Sequence, residues 1–162
     1  MITSTLKEIF DNDSRVLILG SYPSVMSRRA EFYYANPNNR FWKIMSTLFD
    51  VDFCSMTSNE KTETLLRLGI ALSDVVHSCN IHASADSTIT DVVASDIKTI
   101  VENSSVKHIF LNGKTAYGFF MKFFPEYAYM ATCLPSTSPA NATFGFDKLS
   151  DAWRIVAETL KQ

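Results

Sequence analysis

Arg15-Val16-Leu17-Ile18-Leu19-Gly20 is an unbroken apolar run that begins on a cation and stops at a glycine. A strand with one wet face alternates apolar and polar residues; this run does not, so both of its faces are covered. Such a strand belongs in a parallel sheet with helices on either side. Outward from it the theme repeats. Ile70 to Val76, Lys107 to Leu111 and Tyr127 to Thr132 read as three further strands. Between them, Phe41, Ile44, Met45, Leu48 and Phe49 recur at helical spacing. Glu60 to Leu68 reads as a helix ending at Gly69, and Asp91 to Asn103 as another. Gly113 to Phe124 forms a helix stopped by Pro125, and Phe146 to Leu160 a final amphipathic one. Leu6, Ile9 and Phe10 share a helical face, which predicts a short helix over 3–12. Strands alternating with helices predict a parallel sheet between two helix layers. His77 to Thr90 is the least regular stretch, expected as a surface excursion over the sheet.

The 162 residues suit one domain spanning 1–162. With 46% hydrophobic residues, 12 Phe and 5 Gly, the expectation is an aromatic-rich core with few loops. No apolar run is long enough for a membrane span, and the first ten residues lack a signal-peptide core. Cys54, Cys79 and Cys133 are odd in number and far apart, which suits thiols in a reducing compartment. The expected location is the cytoplasm. A net charge of −2 supplies no global field for nucleic acid, so any such contact must be local.

Two loops carry the candidate chemistry. Gly20-Ser21-Tyr22-Pro23-Ser24 follows the first strand, and Tyr33-Tyr34-Ala35-Asn36-Pro37-Asn38-Asn39-Arg40-Phe41-Trp42 leads into a helix. The second is Leu134-Pro135-Ser136-Thr137-Ser138-Pro139-Ala140-Asn141. Ligands of open α/β sheets bind at the carboxyl ends of strands, where both loops fall. Asn39 fits equally as a helix cap, with Asn38 as an alternative cap, or as an amide that orients water or bonds a ligand. Asn112, ending a strand before Gly113, fits either a turn or an amide that reads a base edge. Gly20 permits close backbone approach, so the amides of Ser21 and Tyr22 suit a carbonyl oxygen, while Ser24 caps a short helix. Arg28, Arg29, Arg40, Lys43 and Lys114 lie in or beside these loops. His77, Cys79 and His82 do not have the spacing of a zinc site, and no metal is expected. Nothing marks Lys114 as a Schiff-base nucleophile.

The order of Gly-Ser-x-Pro-Ser, Asn-Pro-x-Asn-Arg-Phe-Trp, Phe-Leu-Asn-Gly-Lys-Thr-Ala and Leu-Pro-Ser-Thr-Ser-Pro-Ala-Asn resembles the uracil-DNA glycosylase superfamily, and within it the hypoxanthine-DNA (deoxyinosine) glycosylases. The mismatch-specific uracil/thymine glycosylases are neighbours. The resemblance covers Val16 to the last helix. It implies a three-layer α/β/α sandwich with a four-stranded, mainly parallel sheet. It also implies monofunctional cleavage of the N-glycosidic bond of a damaged base, without metal or organic cofactor. Tyr22 stands where the mismatch-specific branch has a water-holding Asn, and Leu134 where uracil glycosylases have a His. The resemblance therefore favours hypoxanthine, with Asn39 and Asn112 as catalytic residues. Gly20, Ser21, Tyr22 and a stacking Tyr34 would bind the base. Arg40, Ser136, Thr137, Ser138 and Asn141 would contact DNA. The expected partner is damaged DNA, acted on by a monomer away from any membrane. The alternatives are a uracil or mismatch glycosylase, and a nucleotide or single-strand binding module without chemistry. Every version requires residues 39 and 112 to converge on one niche.

Overall fold

A computed structural model describes residues 1–81 and 89–162. A two-residue strand, β1 (Ile2–Thr3), opens the chain. The decisive apolar run forms β2 (Val16–Gly20), buried at every position. A short helix, α1 (Val25–Ala30), follows, capped by the Ser24 hydroxyl, which accepts from the Ser27 N–H at 3.1 Å. Then come α2 (Phe41–Phe49) and α3 (Ser58–Leu68), the latter opened by a Thr57–Glu60 capping box. Next are β3 (Ile70–Asp74), β4 (Val76–Ile81), β5 (Ile89–Ala94) and α4 (Ile97–Glu102). The chain closes with β6 (His108–Asn112), α5 (Lys114–Phe123), β7 (Ala131–Leu134) and α6 (Phe146–Leu160).

Four strands form one sheet in the order β3-β2-β6-β7, and every pair is parallel. Side chains alternate across it. Val16, Ile18, Ile70, Leu72 and Phe110 pack with α2, α3 and α6 through Phe41, Leu65 and Trp153. Leu17, Leu19, Ala71, Ile109 and Leu111 pack with α4 and α5 through Ile97, Ile100, Ala116 and Phe120. This is the expected three-layer α/β/α sandwich. The register places Gly20 beside Asp74, and Leu19 beside Leu111, so β2 and β6 end together. Asn112 lies beside Leu134. Asp74, Gly20, Asn112 and Leu134 therefore end four adjacent strands along one rim.

Four elements differ from the sequence expectation. Residues 3–12 are not helical. Instead Ile9 exchanges two backbone hydrogen bonds of 2.9 Å with Leu72, along the open edge of β3. Ile9 then packs on one face of the sheet and Phe10 on the other, as an extended chain requires. The strand expected over Ile70 to Val76 breaks at Val75, and Val76 starts a second sheet, β1-β4-β5, which is antiparallel. Of the stretch expected as an irregular excursion, His77 to Thr90, the described residues up to Ile81 and from Ile89 belong to this sheet, and 82–88 lie outside the described residues. The helix expected from Asp91 is two elements. The β-branched Val92 and Val93 extend β5, and Asp96 caps α4 by accepting from the Thr99 N–H at 3.2 Å. Finally, Pro125 starts a 3₁₀ turn over Pro125–Met130, so the last strand begins at Ala131 rather than Tyr127.

Candidate functional site

The rim holds a continuous polar row on the α2/α6 side. The Asn112 Nδ2 donates to the Thr137 hydroxyl at 2.9 Å and to the Tyr34 phenol at 3.1 Å. The Thr137 N–H donates to Asn112 Oδ1 at 3.0 Å. The Thr137 hydroxyl donates to Asn39 Oδ1 at 2.8 Å, and the same oxygen accepts from the Phe41 N–H at 3.0 Å. The Arg40 N–H donates to the Thr137 carbonyl at 3.1 Å. Residues 34, 39, 112 and 137, from three separate stretches of chain, thus form one unit.

Local backbone makes this possible. Gly113 sits at φ +98, in the left-handed region, and a Cβ there would lie 3.0 Å from the Ser136 side chain. A glycine lets β6 turn sharply while the 134–141 loop packs against it. Gly20 is different: a Cβ there would lie 2.5 Å from Asp74 Oδ1 and 3.0 Å from the Tyr34 hydroxyl. Its missing side chain is the space in which those two groups meet.

Asn39 acts partly as a cap, since its side chain satisfies the Phe41 N–H at the start of α2, and its own NH₂ has no protein partner among the described residues. Asn112 is engaged at both ends of its amide. Tyr34 stacks on Phe41 with ring centroids 4.1 Å apart. Burial raises its phenol pKa, the negative charge of Asp74 raises it further, and the bond from Asn112 opposes the rise. Tyr33 belongs to the core instead, with its hydroxyl donating to the Lys7 carbonyl at 3.1 Å. Gly20 and Ser21 lie at the rim, their carbonyls accepting from the Val75 and Val76 N–H groups. The Tyr22 ring turns away into the small core beneath the second sheet, with Val76 and Cys79. Burial raises its phenol pKa, the Arg28 charge opposes the rise, and Cys79 and Asp74 add to it.

The second loop departs from the even set of DNA contacts expected of it. Thr137 is completely buried, and a residue with 0% exposure cannot touch a phosphate. Arg40 donates through its guanidinium to the carbonyls of Ser138 and Asn141, each at 3.1 Å, and to that of Phe144. That guanidinium ties the loop down. Ser136, Ser138 and Asn141 remain partly exposed; Asn141 Nδ2 donates to the Ser136 carbonyl at 3.0 Å, which closes the loop on itself. Arg28 lies over the Tyr22 ring, 5.5 Å from its centroid, while Arg29, Lys43 and Lys114 are exposed. Among the described residues no group of His, Cys, Asp and Glu is arranged to hold a metal, and His82 lies outside them.

Two contributors were not singled out by the sequence. Thr137 appeared there as one hydroxyl among three. Asp74, 8% exposed, ends β3 and lines a cavity of about 280 Å³ with Tyr33, Ser73, His77 and Asp96. A carboxylate closing a strand that opens Ile70-Ala71-Leu72 was the available signal. Side chains 39 and 112 do converge, but through the Thr137 hydroxyl, which accepts from Asn112 and donates to Asn39; the cavity beside Asp74 is lined by none of Tyr34, Asn39, Asn112 and Thr137.

A sequence model described as the uracil DNA glycosylase superfamily matches residues 7–158. The chain belongs to that superfamily. As one of its members it is a DNA glycosylase. A hypoxanthine DNA glycosylase of Methanosarcina acetivorans is 32% identical over 157 residues, covering 96% of this chain and 98% of the relative. One from Methanosarcina barkeri is 28% identical over 134 residues, covering 82% and 84%. The solution NMR structure of a Methanosarcina acetivorans protein assigned to the uracil DNA glycosylases matches this glycosylase with a TM-score of 0.85. That pair is 31% identical, with 100% of both chains covered.

Proposed function

We propose that this glycosylase releases hypoxanthine from deoxyinosine in DNA, as a monofunctional enzyme and a monomer in the cytoplasm. The observation that carries the reading is the row Tyr34–Asn112–Thr137–Asn39, an amide and hydroxyl system on the strand rim where ligands of such sheets bind. The two relatives named for hypoxanthine support the choice of base. That none of the three cysteines forms a disulfide suits a reducing compartment.

The base first leaves the duplex, at a cost of a few kcal/mol that is smaller when it is mispaired. The bond from C1′ to N9 then breaks and its electron pair goes to the base, leaving an oxocarbenium-like sugar. A water oxygen bonds C1′, and one water proton is lost. Hydrogen bonds to the departing base and a sheltered water are what the protein contributes. Asn39 touches the reacting groups through its open NH₂. The backbone amides of Ser21 and Tyr22 face a base carbonyl across Gly20, and Tyr34 supplies an aromatic wall. Asn112 holds the others in place, and Ser136, Ser138 and Asn141 face the DNA backbone. Arg40 serves by holding that loop.

The test is a set of duplexes with one hypoxanthine, uracil or xanthine each, incubated with wild type and Asn39→Ala and then cleaved with alkali. The expected result is strand breaks at hypoxanthine that are lost in a folded Asn39→Ala protein. Faster release of uracil than of hypoxanthine overturns the assignment of the base.

A further inference from the structure

The two amides in the row can be oriented in one way only. Backbone N–H groups donate and never accept. The Phe41 N–H faces the Asn39 amide and the Thr137 N–H faces the Asn112 amide, each at 3.0 Å, so the atom receiving each must be an oxygen. Asn112 is then left presenting its NH₂ to the Thr137 hydroxyl at 2.9 Å. That hydroxyl has a single proton, which goes to Asn39 Oδ1 at 2.8 Å. Two donors therefore fill the Asn39 carbonyl oxygen. Its NH₂ points away from both and has no protein partner among the described residues.

We propose that Thr137 is a positioning residue, whose hydroxyl locks Asn39 with its NH₂ toward the ligand, so that Asn39 acts as a hydrogen-bond donor to the departing base rather than as an acceptor for water. The inference rests on the glycosylase reading above. As the glycosidic bond breaks, its electron pair moves onto the base, and a donor aimed at that charge stabilises the transition state more than the ground state. Two bonds accepted by an amide oxygen polarise the group and strengthen its N–H as a donor. An oxygen already holding two protons is poorly placed to take a third from the attacking water; that proton passes to solvent. Burial explains how Thr137 can do this and nothing else, since no part of it reaches the surface.

The experiment measures single-turnover release of hypoxanthine by wild type, Thr137→Val, Thr137→Ser and Asn39→Asp, with folding checked by circular dichroism. Thr137→Val keeps the shape and loses the hydroxyl, and is expected to be about 10²-fold slower, the typical effect of losing one aligned donor. Thr137→Ser restores the hydroxyl and most of the rate. Asn39→Asp is the sharper arm, and it decides alone if the valine variant does not fold. Its carboxylate still accepts from Phe41 and Thr137 but has no proton to give. It is expected to be inactive at neutral pH and to gain activity as the pH falls through the carboxyl range, when an O–H returns. A folded Thr137→Val as fast as wild type overturns the proposal. So does an Asn39→Asp protein that matches wild type at neutral pH, the result an acceptor role requires. If wild type releases no base from any lesion, the glycosylase reading and this inference fall together. If wild type is active and the variants behave otherwise than stated, only the inference falls.

Discussion

Gly20→Ala tests the meeting point of β2, β3 and Tyr34. The backbone at this position is ordinary, so alanine brings no conformational strain and gains about 0.4–1 kcal/mol through the unfolded chain. Against that, the new Cβ would lie 2.5 Å from Asp74 Oδ1 and 3.0 Å from the Tyr34 hydroxyl. Asp74 is buried and its backbone is pinned by register to Gly20, so relief requires its carboxylate to swing toward the cavity it lines. Overpacking of this kind costs about 1–3 kcal/mol. Taking the middle of both ranges leaves a net loss of about 1.3 kcal/mol, or about 3–5 °C in melting temperature for a chain of this size. Hypoxanthine release should fall as well, since the methyl group enters the space beside the base-facing amides. The assay is a double-mutant cycle with Asp74→Ala, read by thermal and urea melts. If the clash is the cause, removing the carboxylate relieves it, and the coupling is about 1 kcal/mol or more. Strict additivity of the two substitutions would refute the packing argument.

Burial raises the phenol pKa values of Tyr33 and Tyr34, and the charge of Asp74 adds to the effect. A folded-state value above the ordinary 10.0 means stability present below that pH and lost as the pH climbs past it. Alkaline absorbance titration should show Tyr33 and Tyr34 ionising only as the protein unfolds; ionisation with the native fold intact would contradict their burial. Arg40→Lys cannot reproduce a planar fork reaching three carbonyls. It should cost about 1–3 kcal/mol and speed proteolysis within 136–144, while leaving the salt dependence of DNA binding almost unchanged. A lower salt slope at full stability would instead make Arg40 a phosphate contact. Asn112→Ala strands the Thr137 N–H and the Tyr34 phenol, so stability and base release should fall together; a stable but inactive protein would make Asn112 a direct reader of the base.

The sandwich was legible because its main strands and helices carry their own periodicity. Val16–Gly20 can only be a strand covered on both faces, and α2 and α6 show a continuous apolar stripe. The amino-terminal segment misled because Leu6, Ile9 and Phe10 fit a helix locally, whereas β3 had an unpaired edge that needed backbone partners. No local pattern reveals that need. The second sheet was hidden because its strands are short, β4 pairs with the distant β1, and the β4–β5 ladder is broken by register shifts that blur the alternation of a strand. At the site, the loops and both amides were readable as candidates from their place after strands. Which of Ser136, Thr137 and Ser138 faces inward was not, since it depends on how the 134–141 loop lies against Gly113 and Arg40. The direction of each amide depends on two backbone N–H groups, which no side-chain pattern records.

The clasp between Ile9 and Leu72 has a practical consequence. It is the hem that finishes one margin of the main sheet. A protease cut just after it would bare the Leu72 N–H and C=O on the margin of β3, ready to recruit the same margin of another molecule. Trimming there would also take Ser4, Leu6 and Glu8 from the wall of the cavity beside Asp74 and the Lys7 carbonyl from the Tyr33 hydroxyl, so self-association and damage beside the rim would come together.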